Sequence, residues 1–328
     1  MGPWFAPLAW LWHAVLKVRH ALYDWGWLRS HDSPIPCLVI GNMELGGTGK
    51  TPHVLDLAHR LEQRLGKGQV GILSRGYGRS SSARFSWVDD ARNWQEVGDE
   101  PWMMQDALPS TPVAVCADRV SGLSRMKQQR PELRLVLLDD GLQHRRLRPT
   151  HQLALMSRTA PRLSASQLIP AGPWRDLLSR LQRVDGVVTT HPTAQCPSGA
   201  THLGHTRPIT GAPQANSPTA TPLGPALLVT GIANPARLME SLTGVDLAGV
   251  AHYPDHHPFS QKDLKAWQDW GQRHDVRDLL VTKKDAVRIV PLMAQLPGWN
   301  LWEIPLSLAW DDEAKLDSWL DSLVETLP

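Results

Sequence analysis

The chain has little cysteine, little phenylalanine or tyrosine, and little net charge. Its 328 residues include three cysteines, Cys37, Cys116 and Cys196, far apart and with no CxxC pair. Neither a disulfide framework nor a zinc ribbon is therefore expected, and a reducing cytosol is the simplest compartment. A formal net charge of +2 is too small to point to nucleic acid, and no such partner is expected. The uncharged N-terminal stretch stops at Lys17, short of the ~20 residues that cross hydrocarbon. No small-residue cleavage site follows it, so neither a spanning helix nor a secretory signal fits. Internal repeats are also missing. The 42% of apolar and 20% of charged residues are ordinary for a folded soluble protein, and the length leads us to expect two domains.

Tryptophan is abundant instead. There are 15, against three Phe and three Tyr, and Trp4, Trp10, Trp12, Trp25 and Trp27 crowd the N-terminus. Trp4, Leu8, Leu11, Val15, Val18 and Leu22 recur at spacings of four and three, with His13, Lys17, His20 and Asp24 as a polar row in the same rhythm. That pattern predicts one amphipathic helix at about 4–28. It would either dock on its own domain or lie in a membrane interface, with Trp rings at headgroup depth and Lys17, Arg19 and Arg29 near anionic lipid. The Trp clustering favours the interface.

Beyond the helix, short β-rich runs (Leu38–Gly41, Val70–Ser74, Val113–Cys116, Leu133–Leu138, Leu153–Met156, Gly186–Thr190) alternate with helical stretches. The alternation predicts parallel strands with crossover helices. The expected fold class is α/β: a P-loop-containing doubly wound α/β/α domain over 1–192, carrying the N-terminal helix, and a smaller α/β domain over 225–328 that closes over the active site. A Pro/Thr/Gly-rich linker is expected over 193–224.

The stretch ELGGTGKTP, 44–52, follows the apolar run Cys37–Gly41. Glycines here let successive backbone N–H groups of Gly46, Gly47, Thr48 and Gly49 approach an anion, and the following helix adds its positive end. Lys50 would pair with β- and γ-phosphate oxygens, and the Thr51 hydroxyl would sit on magnesium. Glu44 and Leu45 complete the expected ATP loop. Such a loop needs an acid at the end of a neighbouring buried strand. Asp139 and Asp140 end the run Leu133–Leu138; their side chains should diverge, so one would reach the metal and the other would orient water or a base.

Gly98-Asp-Glu-Pro101 offers a second acidic pair, expected on a loop because Pro101 disfavours helical geometry at Glu100. Asp99 suits a base beside a phosphoryl acceptor, or is a plain turn acid. His252, Asp255, His256 and His257 cluster in HYPDHHPF. Pro254 and Pro258 break the helical presentation that paired zinc-binding histidines need, so an Asp–His acid–base pair is preferred to a metal. Arg75, Arg79, Arg119, the run His144–Arg148, and Arg175 are candidates to clamp an anionic acceptor.

These pieces together resemble the tetraacyldisaccharide 4'-kinase (lipid A 4'-kinase) family of Gram-negative bacteria. The resemblance rests on GNMELGGTGKTP (41–52), SRGYGR (74–79), GDEP (98–101), ADR (117–119), LDDGLQHRRL (138–147), PAGPWRD (170–176), GIANP (231–235), DHHPF (255–259) and TKKDAVR (282–288). It implies ATP- and Mg2+-dependent phosphorylation of the 4'-hydroxyl of a lipid-linked glucosamine disaccharide 1-phosphate, giving the 1,4'-bisphosphate. It also implies peripheral attachment to the cytoplasmic face of the inner membrane, with no obligatory protein partner inferred. By motif, Lys50 and Thr51 are the phosphate and magnesium residues, Asp139 and Asp140 the metal-organising acids, and Asp99 with His256 an acid–base dyad. Arg75, Tyr77, Arg119, Gln143, His144 and Arg175 are acceptor or phosphate contacts. Two rivals remain open: a GTPase-like adaptor, because Thr282-Lys-Lys-Asp285 resembles the guanine-reading TKxD pattern, and a metal-binding protein centred on the histidine cluster.

Overall fold

The computed structural model describes residues 3–159, 165–216, 223–232, 235–242 and 244–328. Ala233 and Asn234 of the GIANP motif lie outside them.

Cys37–Asn42 is buried at all six positions and lies between Leu135–Asp139 and His151–Met156, parallel to both. Strands covered on both faces read as unbroken apolar runs, as CLVIGN, VGILS and LVLLD do here. The full sheet has nine strands. In spatial order they are Leu306–Trp310, His202–Thr210, Gly186–Thr189, His151–Met156, Cys37–Asn42, Leu135–Asp139, Val70–Ser74, Val113–Cys116 and Phe85–Trp87. Helices Lys50–Leu65 and Glu313–Glu325 contribute Leu57, Leu61, Leu316 and Leu320 to one face. Ala6–Asp24 and Arg119–Gln129 bring Ala9, Leu16, Leu123 and Met126 to the other. This is the expected α/β/α layering.

The second sheet has five strands, in the order Gln214–Ala215, Asn300–Ile304, Asp278–Thr282, Ala226–Thr230 and Leu247–His252; the last four are mutually parallel. Residues expected in the linker include His202–Thr210, a strand of the first sheet. Its signal is weak in the sequence because Gly204 and Thr206 occupy buried positions beside Leu203. Leu306–Trp310 returns antiparallel to it, with Thr210 opposite Leu306. The last strand and helix of the chain thus belong to the first sheet, and Arg60 and Arg64 fasten that helix through Glu313, Asp317 and Asp321.

The N-terminal helix runs Ala6–Asp24. Its inner face is Ala9, Leu16 and His20, and His20 Nε2 lies 2.7 Å from Asp176 Oδ1. The row expected to be polar is therefore split, with His20 turned inward. The apolar row faces outward: Leu8, Leu11, Val15 and Val18 are 53, 62, 45 and 59% exposed, and Trp4, Trp25 and Trp27 at least 70%. No helix among the described residues is long and apolar enough to cross a membrane.

Candidate active site

The phosphate loop hangs from the C-terminal end of Cys37–Asn42 and enters helix Lys50–Leu65 through Gly49, whose φ of 79° only glycine adopts without strain. Asn42, missed in the sequence reading, organises the loop. Its Nδ2 donates to Thr48 Oγ1 at 2.8 Å, and its Oδ1 accepts from Lys50 Nζ at 3.4 Å and also from Arg175. The signal available was position: a polar residue closing a buried strand just before a glycine loop.

Glu44 is placed differently from the other loop residues. Its side chain is buried and accepts from the backbone N of Ser157 at 2.5 Å and from Ser157 Oγ at 2.8 Å, with Arg158 Nε 3.4 Å away. The Leu45 backbone N donates to Pro173 O, and the Arg175 N to Met43 O. The loop is thereby pinned to the 173–175 segment, and the Glu44 carboxylate is engaged by Ser157 and Arg158.

The two strand-end acids diverge as expected. Asp140 adopts φ 53° and is held by a bidentate Arg175 contact, with Lys50 Nζ 3.8 Å away. Burial alone would raise its pKa; Arg175 and then Lys50 hold it below the usual carboxylate range. Asp139 lies deeper. Its Oδ2 accepts from Ser74 Oγ at 3.3 Å, while its Oδ1 is buried without a hydrogen-bond partner. Burial, reinforced by Glu100 and Asp140, pushes its pKa up to about 7. An orphaned, strongly desolvated carboxylate oxygen at the end of a strand fits a hard divalent cation, with the Thr51 hydroxyl as a second oxygen donor.

Asp99 is not on a loop. It is the first residue of helix Asp99–Ala107, because Pro101 falls in the first turn, where a missing N–H costs nothing. The side chain is buried, and its Oδ2 meets His256 Nδ1 at 2.9 Å. Burial works against the charged carboxylate, but His256, joined by the cations Lys284 and Arg288, lowers the pKa overall. The same contact raises that of His256, against burial and Lys284. His256 also has a positive φ, 59°. Of the three non-glycine residues with positive φ among those described, two are Asp140 and His256, as expected where a fold holds functional side chains in uncommon geometry.

The remaining candidates divide. Tyr77 is 76% exposed, with its ring centroid 6.0 Å from that of His256, and Arg75 is exposed on the same loop. Gln143 Nε2 donates to Asn42 O at 2.9 Å, while its backbone carbonyl accepts from Arg19 of the N-terminal helix. Arg119 is buried and clamps two strand-end carbonyls, Cys116 O at 2.6 Å and Asp139 O at 2.9 Å. With His144 it lines a cavity of about 350 Å3 shared with Arg145, Arg148, Arg180 and Arg183.

The rival patterns do not assemble. Asp285 of the TKxD sequence is buried and takes contacts from Thr282, Gly231 N and Arg288, leaving no carboxylate for a guanine. In the histidine cluster, His257 turns to Asp263 and His256 to Asp99. Among the described residues no group of three or more His, Cys, Asp or Glu is arranged to hold a metal.

Comparison with known proteins identifies the family. The family described as tetraacyldisaccharide-1-P 4'-kinase matches residues 1–325. The tetraacyldisaccharide 4'-kinase of Cytophaga hutchinsonii is 32% identical over 340 residues, covering 98% of this chain and 95% of the relative. That of Halorhodospira halophila is 35% identical over 312 residues, covering 92% and 88%. The crystal structure of the apo form of LpxK from Aquifex aeolicus in complex with ATP superposes with a TM-score of 0.75 at 24% identity, over 97% of this chain and 98% of that one, and so shares the fold. A full-length match in which the glycine loop, the paired strand-end aspartates and the Asp–His contact all fall in one fold has one reading: the chain belongs to the tetraacyldisaccharide-1-P 4'-kinase family.

Proposed function

We propose that this protein transfers the γ-phosphate of ATP to the 4'-hydroxyl of a tetraacyldisaccharide 1-phosphate, giving the 1,4'-bisphosphate of lipid A biosynthesis. The observation that carries the reading is the contact of Asp99 with His256, which supplies a base for an acceptor hydroxyl in a fold that also bears a phosphate loop.

Phosphoryl transfer is mostly positioning and charge neutralisation. The loop would receive the triphosphate through backbone N–H groups of Gly46, Gly47 and Gly49, and Lys50 would neutralise it; the Thr48 N–H, expected in the same role, donates to Gly46 O at 3.1 Å. Asn42 holds Lys50 and Thr48 in place. Arg175 keeps Asp140 ionised beside Lys50. Thr51 and Asp139 would hold Mg2+, which supplies charge neutralisation across the β- and γ-phosphates when bound. Asp99 takes the proton of the 4'-hydroxyl as its oxygen attacks the γ-phosphorus and the bond to ADP breaks. Tyr77, exposed beside His256, and Arg75 on the same loop would contact the sugar, Gln143 would line its path, and the basic cavity lined by His144 and Arg119 would take its 1-phosphate.

The acceptor is held in a bilayer, so the cleft must work at its surface. The outward Leu8–Val18 row and the Trp rings bring it there, on the cytoplasmic face of the inner membrane, where ATP is available. Incubation with Mg-ATP and the disaccharide 1-phosphate lipid tests the reading: mass spectrometry should find one added phosphate on the lipid. An unmodified lipid in the presence of ATP turnover would overturn it.

A further inference from the structure

The Lys-Lys-Asp stretch at 283–285 is not accounted for by a phosphate loop or an acid–base pair. Helix Lys283–Ile289 packs against helix Asp99–Ala107, and Lys284 lies between the two and the His256 loop. Its Nζ is 2.9 Å from Glu100 Oε1, 3.1 Å from Asp255 Oδ1 and 3.1 Å from His256 Nε2. An ammonium has three N–H donors and no acceptor, so these three partners use all of them. His256 Nε2 must then present its lone pair, and the ring proton belongs on Nδ1, donated to Asp99.

We propose that Lys284 is a positioning residue for phosphoryl transfer: it fixes His256 as the neutral Nδ1–H tautomer, aimed at Asp99. This inference rests on the Asp99–His256 dyad proposed above. The contact matters because an imidazolium would hold Asp99 as an ion pair and weaken it as a base. Every charged group facing the ring bears on this balance. Asp99 and Glu100 on one helix and Asp255 on the loop favour a second ring proton; Lys284 and Arg288 on the other helix oppose it, and Tyr77 contributes an uncharged ring. Lys284 is the cation in contact with the nitrogen that would take that proton. The chemistry balances without a further reactant: the acceptor O–H proton passes to Asp99, one O–P bond forms to the sugar and one breaks at ADP.

The test uses Lys284→Met and Lys284→Arg in the full-length enzyme. In Lys284→Met, kcat should fall by up to about tenfold at pH 7, the most that a one-unit limb shift produces, with the KM for ATP within twofold. The acidic limb of kcat/KM should move up by about one pH unit, so that alkaline pH recovers much of the rate. Lys284→Arg, which keeps the cation, should return the limb toward the wild-type position. A purely structural role would lower the rate equally at all pH values. Independently of activity, 15N shifts of the wild-type His256 ring, read at alkaline pH where the ring is neutral, should report the remaining proton on Nδ1 and none on Nε2. A neutral wild-type ring with its proton on Nε2, or an unmoved limb in a folded Lys284→Met, overturns the inference. If Asp99→Ala and His256→Ala also keep wild-type turnover, the dyad itself fails; if they lose it, only the role of Lys284 does.

Discussion

Asp99 Oδ2 and His256 Nδ1 lie 2.9 Å apart, although 157 positions separate them in the chain. One comes from the first turn of a helix over the nine-stranded sheet, the other from a loop of the five-stranded unit. The pair is assembled without any further closing motion. Asp99→Ala and His256→Ala should therefore each lower kcat by about 10²–10⁴-fold, the range for losing a general base, with ATP binding nearly unchanged. Steady-state kinetics with the two substrates varied separately would check this; turnover like the wild type in either variant would remove the pair from the mechanism.

Asp139 gives a pH prediction with a definite sign. Its folded-state pKa is raised to about 7, well above that of an unfolded aspartate, about 3.9. Between those values the folded protein binds more protons than the unfolded one, so this group lowers stability as pH rises through the window. Without added metal, Asp139→Asn should gain stability over wild type between pH 5 and pH 8, by roughly 1–3 kcal/mol, while losing activity. Urea unfolding at the two pH values reads the difference, and a gap that is constant with pH contradicts it.

Glu44 sits in the phosphate-loop sequence but bonds to Ser157. Glu44→Ala leaves the half-buried Ser157 N–H without its acceptor, at a cost of about 1 kcal/mol. Thermal unfolding should show the loss. The KM for ATP should change by less than tenfold, and a much larger ATP defect in a protein of unchanged stability would make Glu44 a nucleotide contact after all.

The outward row of the N-terminal helix should govern membrane residence. Replacing Leu8, Leu11 and Val15 together with serine removes apolar area that contributes about 25 cal/mol per Å2 when buried, and should lower binding to vesicles of phosphatidylglycerol and phosphatidylethanolamine at least tenfold. Flotation on a sucrose gradient measures it. Because the inner face keeps Ala9, Leu16 and His20, the melting temperature should hardly move.

Much of this was legible in the residues. Unbroken apolar runs ending in Gly, Asn or Asp marked the central strands and put the glycine loop and Asp139 at one sheet edge, since periodicity and strand ends are local properties. Several features were not local. The 3.6-residue period in the first helix was clear, but which face met the protein depended on Asp176, far along the chain, accepting His20. Asp99 looked like a loop residue because the Pro rule weighs against helix, whereas the first turn tolerates proline. His202–Thr210 was hidden by Gly204 and Thr206 at buried positions, and Asn42 and Lys284 carry roles set by what surrounds them in space.

The pairing of Thr210 with Leu306 makes residues 211–305 a long excursion between two adjacent strands. During synthesis the nine-stranded sheet cannot acquire the strand Leu306–Trp310 until the intervening residues 211–305 have been made. The partner unit therefore hangs from a two-stranded neck whose halves are made almost a hundred residues apart, and a chain truncated before Leu306 would leave the edge of His202–Thr210 open to pairing with another molecule.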